Sequence, residues 1–130
     1  IRYCVEHGIP IIATCRGMQY INVLFGGKLS YHPELMVPRP RGKDHKVHLL
    51  TENRDIYVNN FHQDVIYEGS LASCFTPLAV DEENHVIEAY YSEKMKLLAL
   101  QWHPERQFET SEAEEETRRI IVNFIQKYIH

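Results

Sequence analysis

Two short segments of the sequence carry side chains suited to nucleophilic catalysis. Cys15 follows the apolar run "IPIIAT", and His103 and Glu105 stand two residues apart in "LALQWHPERQ". A cysteine can attack a carbonyl carbon when a histidine takes its proton, and a carboxylate behind the histidine stabilises the imidazolium. The sequence therefore indicates a Cys–His–Glu relay. Taken singly, a packing cysteine and a satisfied strand-end histidine are the simpler interpretations.

The residues around Cys15 predict a strand that turns directly into a helix. "IPIIAT" is typical of a strand covered on both faces, and after Arg16 the spacing of Met18, Ile21 and Phe25 is helical. Such a junction is a nucleophile elbow, which presents the side chain over the carboxyl end of a sheet. We expect the helix N-terminus to lower the pKa of the thiol, and the backbone N–H of Arg16 to donate to an oxyanion.

Beyond this junction the chain predicts a strand-rich middle and a final helix. Residues 30–44 contain three prolines and no period, which favours a long surface loop. Five β-prone runs follow, and the last two are spaced as a hairpin: "HKVHLL", "IYVNNFH", "ASCFTPLAV", "VIEAYY" and "LLALQW". Ser111 and Glu114 have the spacing of a capping box at the start of the last helix. One α/β unit over residues 1–130 accounts for these elements.

Composition and spacing exclude several classes of function. The chain has 130 residues and a net charge of −4, which argues against a nucleic-acid partner, and no apolar run approaches the roughly 18 residues of a membrane span. Cys4, Cys15 and Cys74 are odd in number and scattered, as expected of reduced thiols in a cytoplasmic protein. His45 and His48 would face opposite sides of a strand, so we expect no metal site.

Three motifs together resemble a known family. The runs "CRGMQYINVLFGG", "VNNFHQDVI" and "LQWHPERQ", in this order and spacing, resemble the class I glutamine amidotransferase superfamily over essentially the whole chain. The resemblance is strongest to its γ-glutamyl hydrolase branch, including the γ-glutamyl-γ-aminobutyrate and γ-glutamyl-CDP-amidate hydrolases. It implies a flavodoxin-like three-layer α/β/α sandwich without a cofactor. Cys15 would form a γ-glutamyl thioester, with His103 as acid and base and Glu105 behind it.

The resemblance also implies a binding site for the glutamyl group. Gln19, one helical turn after the nucleophile, matches a residue that helps to hold this group. The backbone around Asn60 and Phe61 would bind the α-carboxylate and amine, with His62 nearby. Two positions depart from the family pattern, because Ala13 replaces a usual glycine and Asn60 stands where serine is common. Backbone contacts at position 60 remain available, but a hydroxyl contact does not.

The family's first strands would precede Ile1, as would the glycine-containing loop that supplies a second oxyanion N–H. Residues 1–130 would then be the C-terminal part of a single domain. Losing one oxyanion donor typically costs about 10²–10³ in kcat, so we expect this chain alone to be inactive. Its exposed strand edges are expected to associate with the upstream segment or with a second copy, as a homo-oligomer.

Three functions fit these motifs. The leading hypothesis is a cysteine-dependent hydrolase that cleaves a γ-glutamyl amide bond of a small molecule through a thioester. The second is a glutaminase that passes ammonia to a synthetase partner, for which a docking face and a tunnel are needed. The third is a non-catalytic interaction module of the same fold. The intact triad argues against this third function, whereas the absence of the upstream strands argues for it.

Overall fold

The computed structural model describes residues 1–31 and 41–129, which form a central β-sheet with helices on both faces. The described helices are α1 (Arg2–Glu6), α2 (Arg16–Leu24) and α3 (Ser111–Tyr128), and a 3₁₀ turn spans Glu68–Ser70. The described strands are β1 (Ile11–Thr14), β2 (Ser30–Tyr31), β3 (His45–Leu49), β4 (Arg54–Val58), β5 (Asp64–Tyr67), β6 (Thr76–Asp81), β7 (Val86–Ser92) and β8 (Leu97–Leu100).

The sheet has the strand order β1-β8-β7-β6-β3-β4, and β5 pairs with both β7 and β2. β1 and β8 are parallel, with Thr14 opposite Leu100, and the other described strand pairs are antiparallel. The predicted hairpin of β7 and β8 is confirmed. The prediction that β1 is covered on both faces is wrong for the described chain: Ile12 is 40% exposed, because β1 is the outermost strand in this order.

Side chains of β8 divide the core into two layers. Leu97 and Ala99 belong to the apolar cluster that contains Met18 and Ile21 of α2. Leu98 and Leu100 belong to the cluster that contains residues of α3. Because successive side chains of a strand point to opposite faces, α2 and α3 pack on opposite sides of the sheet. The chain is therefore a three-layer α/β/α structure, as predicted.

Polar side-chain contacts fix α3 and the end of α2 against the rest of the fold. Trp102, fully buried just after β8, donates its indole N–H to the hydroxyl of Thr117 in α3 across 3.0 Å. In α2, the buried Asn22 side chain bonds the backbone of three residues beyond the helix: Lys28, Ser70 and Ala72. A Cβ on Gly27 would lie only 2.2 Å from the Asn22 side chain, so this contact requires glycine at position 27.

The remaining predictions of secondary structure are confirmed in part. The helix that starts at Arg16 is confirmed, and so is the strand-rich middle of the chain. The loop predicted over residues 30–44 falls mostly outside the described residues, and its first two positions form β2. None of the described helices combines the length and the apolar character that crossing a bilayer requires.

The N-cap of α3 differs from the predicted one. Thr110, not Ser111, precedes the first helical residue, and its hydroxyl accepts a hydrogen bond from the Ala113 N–H at 3.1 Å. Replacing such a cap by alanine typically costs about 1 kcal/mol, because an N–H of the first turn loses its partner. We therefore expect Thr110→Ala to lower the free energy of unfolding by about 1 kcal/mol in urea titrations. Ser111→Ala is the matched control, and an equal loss in both variants would contradict the assignment.

Candidate active site

Cys15 occupies a tight turn between β1 and α2. Its backbone has φ +49° and ψ −109°, a conformation that costs a non-glycine residue about 1–3 kcal/mol and is held only by its surroundings. The Cys15 N–H donates to the carbonyl of Leu100 at 2.8 Å, and its carbonyl accepts from the N–H of Gln19 at 3.1 Å. The backbone therefore has the strand–turn–helix geometry of the predicted nucleophile elbow.

His103 and Glu105 form a hydrogen-bonded pair beyond the end of β8. The distance between His103 Nδ1 and Glu105 Oε2 is 2.9 Å, and the two side chains are 15% and 63% exposed. Burial raises the pKa of the Glu105 carboxyl, but hydrogen bonds from its own backbone N–H and from His103, with the nearby charges, bring it below its usual range. An ionised Glu105 accepts a hydrogen bond from Nδ1–H of His103, so the proton of the neutral ring stays on Nδ1 and the lone pair is on Nε2.

Asn59 holds the backbone of His103 from both sides. Its Oδ1 accepts the His103 N–H at 2.9 Å, and its Nδ2 donates to the His103 carbonyl at 2.8 Å. The side chain of Asn59 is fully buried. The sequence interpretation missed this residue, although its place directly after β4, in the run "VNNFH", was a usable signal. Asn59 therefore positions the candidate base without belonging to the relay.

Gln101 links the candidate nucleophile to Gln19. The amide nitrogen of Gln101 lies 3.8 Å from Cys15 Sγ, and its Oε1 accepts from the side-chain amide of Gln19 at 3.0 Å. Gln19 also donates to the backbone carbonyl of Asp64 at 3.1 Å. Gln101 is fully buried and was not predicted as a site residue. The structure thus brings Cys15 and Gln19 into one polar network through a residue from the end of β8.

Phe61 of the "NNFH" run contacts the ring of His103. The centroids of the Phe61 and His103 rings are 5.8 Å apart, and the rings meet edge to face. The guanidinium groups of Arg106 and Arg41 lie 4.7 and 5.7 Å from the centroid of the Phe61 ring. The carbonyl of the buried Asn60 accepts the N–H of Gly42 at 2.7 Å. Two cationic side chains therefore lie against the Phe61 ring, which itself contacts the candidate base. Contacts of Asn60 and Phe61 with a glutamyl group stay predictions.

The electrostatics of the thiol differ from the expected ones. Burial raises the pKa of Cys15, and this outweighs the lowering by the Arg16 backbone N–H and by the charges of Arg106 and Arg16, while Glu105 raises it further. The N-terminus of α2 acts on the thiol as predicted, but its effect is the smaller one because the side chain is half-buried. Deprotonation therefore requires a base. Since Arg106 and Glu105 both act on the thiol, the two predicted segments meet at one site.

The two histidines of β3 belong to different clusters. His45 Nε2 lies 3.1 Å from the buried carboxylate of Glu88, whereas His48 bonds Asp55 and Asn53 through its two ring nitrogens at 2.9 and 3.0 Å. Within the described residues, His48, Asp55 and Glu82 come close enough to hold a metal ion. The hydrogen bond to Asp55 raises the pKa of His48, so a metal ion would have to compete with a proton for this imidazole.

Comparisons with known proteins identify the class of the domain. A GMP synthase-like protein from Thermoplasma acidophilum superposes on 97% of this chain with a TM-score of 0.70 at 23% identity, and the match covers 62% of that protein. The glutamine amidotransferase-like protein YvdE of Lactococcus lactis is 30% identical over 95% of this chain, and anthranilate synthase component 2 of Thermococcus kodakarensis is 29% identical over 94%. The fold is that of a glutamine amidotransferase-like domain.

The family follows from a match to a family model. The model named Peptidase C26 matches residues 1–105, and the chain belongs to this family. The chain spans 57% of the length of the Lactococcus relative and 62% of the Thermococcus relative. The predicted superfamily is therefore confirmed, whereas the predicted γ-glutamyl hydrolase branch stays a prediction.

The charges around Cys15 predict how its reactivity depends on pH. Because burial raises the pKa of this thiol, we expect its alkylation by iodoacetamide to have a midpoint above the ordinary value of about 8.5. Arg106→Gln should raise the midpoint further, since the guanidinium lowers the pKa, and Glu105→Gln should lower it. Mass spectrometry separates the Cys15 adduct from those of other cysteines.

A distant charge variant controls for this experiment. Lys127, which pairs with Glu93 at 2.9 Å near the end of α3, has no charge contact with the thiol, so Lys127→Gln should leave the midpoint unchanged. Shifts of the opposite sign in Arg106→Gln and Glu105→Gln would refute the electrostatic description of the site.

Proposed function

We propose that this chain contains the reactive centre of a glutaminase, which hydrolyses the side-chain amide of glutamine to glutamate and ammonia. The observation that carries the proposal is the strained turn at Cys15 beside the His103–Glu105 pair. A thiol, an imidazole hydrogen-bonded through Nδ1 to an ionised carboxylate, and that carboxylate itself are the groups that amide cleavage through a thioester requires. The comparisons support an amidotransferase-like domain, and the roles of these residues are part of the proposal.

In the first step the sulfur of Cys15 attacks the side-chain carbonyl of glutamine. Nε2 of His103 accepts the thiol proton as the S–C bond forms, and Glu105 stabilises the resulting imidazolium. The backbone N–H of Arg16 donates to the oxyanion of the tetrahedral intermediate. The intermediate collapses by breaking the C–N bond, and His103 passes its proton to the leaving ammonia. A γ-glutamyl thioester remains on Cys15.

In the second step water replaces the sulfur. Nε2 of His103 takes a proton from the water as its oxygen bonds to the thioester carbon. The S–C bond then breaks, glutamate leaves, and the proton returns to the Cys15 sulfur. A resting thiol with a raised pKa suits this cycle, because His103 must move a proton in both steps.

The remaining predicted residues would bind the glutamyl group. Gln19, one helical turn after Cys15, would help to hold the glutamyl group. The backbone of Asn60 and Phe61 would bind the α-carboxylate and amine, and the edge-on contact of the Phe61 ring with His103 supports this assignment. We also propose that residues 1–130 are the C-terminal part of one domain, whose preceding segment donates the second oxyanion N–H. The partial coverage of the relatives supports a domain longer than this chain.

The choice of glutamine over other γ-glutamyl amides rests on the relatives. An anthranilate synthase component 2 is named as one component of a synthase, which favours a glutaminase that delivers ammonia to a synthetase partner over the hydrolase that the motifs first suggested. Hydrolysis of a substituted γ-glutamyl amide is the second candidate. The observation that favours it is the match to a family named as a peptidase, since a peptidase cleaves substituted amides.

Substitution of the relay tests the proposed chemistry in the protein at its natural full length. We expect Cys15→Ala to release no ammonia from glutamine above background, because no thioester can form. His103→Asn should lower kcat by about 10²–10⁴, the usual contribution of a general base. Ammonia is measured by coupling to glutamate dehydrogenase. The controls are Cys74→Ala and His85→Asn, which replace the same residue types at exposed positions. Activity that persists in Cys15→Ala would exclude the proposed nucleophile.

A comparison of substrates separates the two candidate functions. We expect kcat/KM for glutamine to exceed that for γ-glutamyl-γ-aminobutyrate by about tenfold or more, since one mismatched group in a binding site is worth roughly this factor. The two reactions are followed by the release of ammonia and of γ-aminobutyrate. A preference of similar size for the substituted amide would favour the hydrolase instead.

A further inference from the structure

A buried carboxylate contacts His62, one of the residues of the proposed binding site. Glu88 of β7 has a fully buried side chain, and its two oxygens face two imidazoles: His45 Nε2 at 3.1 Å and His62 Nε2 at 3.6 Å. The His62 side chain is only 3% exposed, and its Nδ1 donates to the carbonyl of Asp64 at 2.8 Å. Both ring nitrogens of His62 are therefore directed at protein atoms, and the ring serves as a support for the backbone above it.

The segment that His62 supports has no regular structure. Residues 59–63 connect β4 to β5 without forming a helix or a strand. At its start the segment is held by Asn59, whose side chain bonds the backbone of His103. Near its end it is held by His62, through Asp64 and Glu88. Its conformation is not set by strand pairing, so these side chains, together with the hydrogen bond from the Gly42 N–H to the Asn60 carbonyl, hold the backbone of the segment in place.

The cluster formed by Glu88, His45 and His62 is connected to Cys15 through a chain of hydrogen bonds. The carbonyl of Asp64 accepts from both His62 and Gln19. The backbone carbonyl of Glu88 accepts the N–H of Gln101 at 2.8 Å, and the side chain of Gln101 joins Gln19 to Cys15. The backbone bond survives any substitution of Glu88, as does the bond between Cys15 and Leu100. Changing the Glu88 side chain should therefore disturb segment 59–63 more than the thiol.

We propose that Glu88 is a positioning residue that, together with His62, sets segment 59–63 for binding of the glutamyl group. The proposal rests on the proposed function, because it assigns that segment to the substrate. A buried ionisable side chain is retained only when its neighbours compensate its desolvation, and the two imidazoles are placed to do so. Without the carboxylate, the His62 ring loses the group that faces Nε2, and the segment loses one of the contacts that hold it.

Two reagents distinguish binding of the glutamyl group from reactivity of the thiol. A glutamine-like chloroketone must occupy the glutamyl site before it alkylates Cys15, whereas iodoacetamide needs only the thiol. In the natural full-length protein, we expect Glu88→Ala to slow Cys15 labelling by the chloroketone by about tenfold, since small misplacements of binding groups are costly. Labelling by iodoacetamide should change by less than about twofold. Intact-mass spectrometry followed by digestion locates each adduct.

Matched variants separate positioning from general destabilisation. Glu88→Gln keeps the length of the side chain and presents one acceptor oxygen and one donor nitrogen to the two imidazoles, and it should restore chloroketone labelling to within about threefold of the unsubstituted protein. His62→Ala should reproduce the selective loss from the opposite side of the contact, which keeps the test valid if Glu88→Ala unfolds. Asp55→Ala removes an exposed carboxylate that bonds His48, and it should alter neither reaction.

The outcomes decide the proposal. A selective loss of chloroketone labelling in Glu88→Ala and His62→Ala, with rescue in Glu88→Gln, supports it. Equal slowing of both reagents in folded variants, or no slowing of either, overturns it. An unsubstituted protein that reacts with iodoacetamide at Cys15 but never with the chloroketone would overturn the proposed function, and the role of Glu88 in binding the glutamyl group with it.

Discussion

The parallel pairing of β1 with β8 is the constraint on which the site depends. Its register places Thr14 opposite Leu100, so the residues that follow the two strands emerge side by side. The hydrogen bond from the Cys15 N–H to the Leu100 carbonyl continues this pairing into the turn and holds the cysteine at positive φ. Gln101 follows Leu100 directly, and His103 lies two residues further on. Backbone hydrogen bonds therefore bring the thiol and residues 101–103 to the same edge of the sheet, and the side chain of Asn59 then fixes the backbone of the candidate base.

Partial burial of the thiol decides which chemistry this arrangement can perform. A helix N-terminus and two arginines favour the thiolate, yet desolvation is larger and the thiol stays protonated at neutral pH. Such a cysteine depends on a neighbouring base at the moment of attack. The His103–Glu105 pair is the candidate for this base, because the ionised carboxylate accepts a hydrogen bond from Nδ1–H and so places the ring's lone pair on Nε2. Substrate binding, which excludes water further, would increase the dependence on His103.

The sequence predicted the features that are determined by residues close to one another in the chain. The strand and helix around Cys15, the β7–β8 hairpin and the spacing of His103 and Glu105 are all encoded within about twenty residues. Asn59 and Gln101 were missed because their contacts with His103 and Cys15 join positions 44 and 86 residues apart, and no local period marks them. The N-cap was misplaced by one residue because Thr110 and Ser111 carry equivalent hydroxyls. The superfamily was predicted from the motifs and is confirmed, whereas the predicted γ-glutamyl hydrolase branch stays a prediction, since the motifs surround the reacting amide and do not describe the amine half of the substrate.

Segment 59–63 shows why base, binding site and buried cluster must be considered together. Asn59 fixes the backbone of His103, Asn60 and Phe61 border the proposed glutamyl site, and His62 reaches Glu88. Consecutive side chains of an irregular segment thus point to three different parts of the site. A shift of this backbone would move the base and the proposed binding groups at the same time. Polar contacts from buried side chains, which are directional and lose strength steeply with misalignment, are what prevents such a shift. The backbone of the candidate base is therefore connected through segment 59–63 to the carboxylate of Glu88.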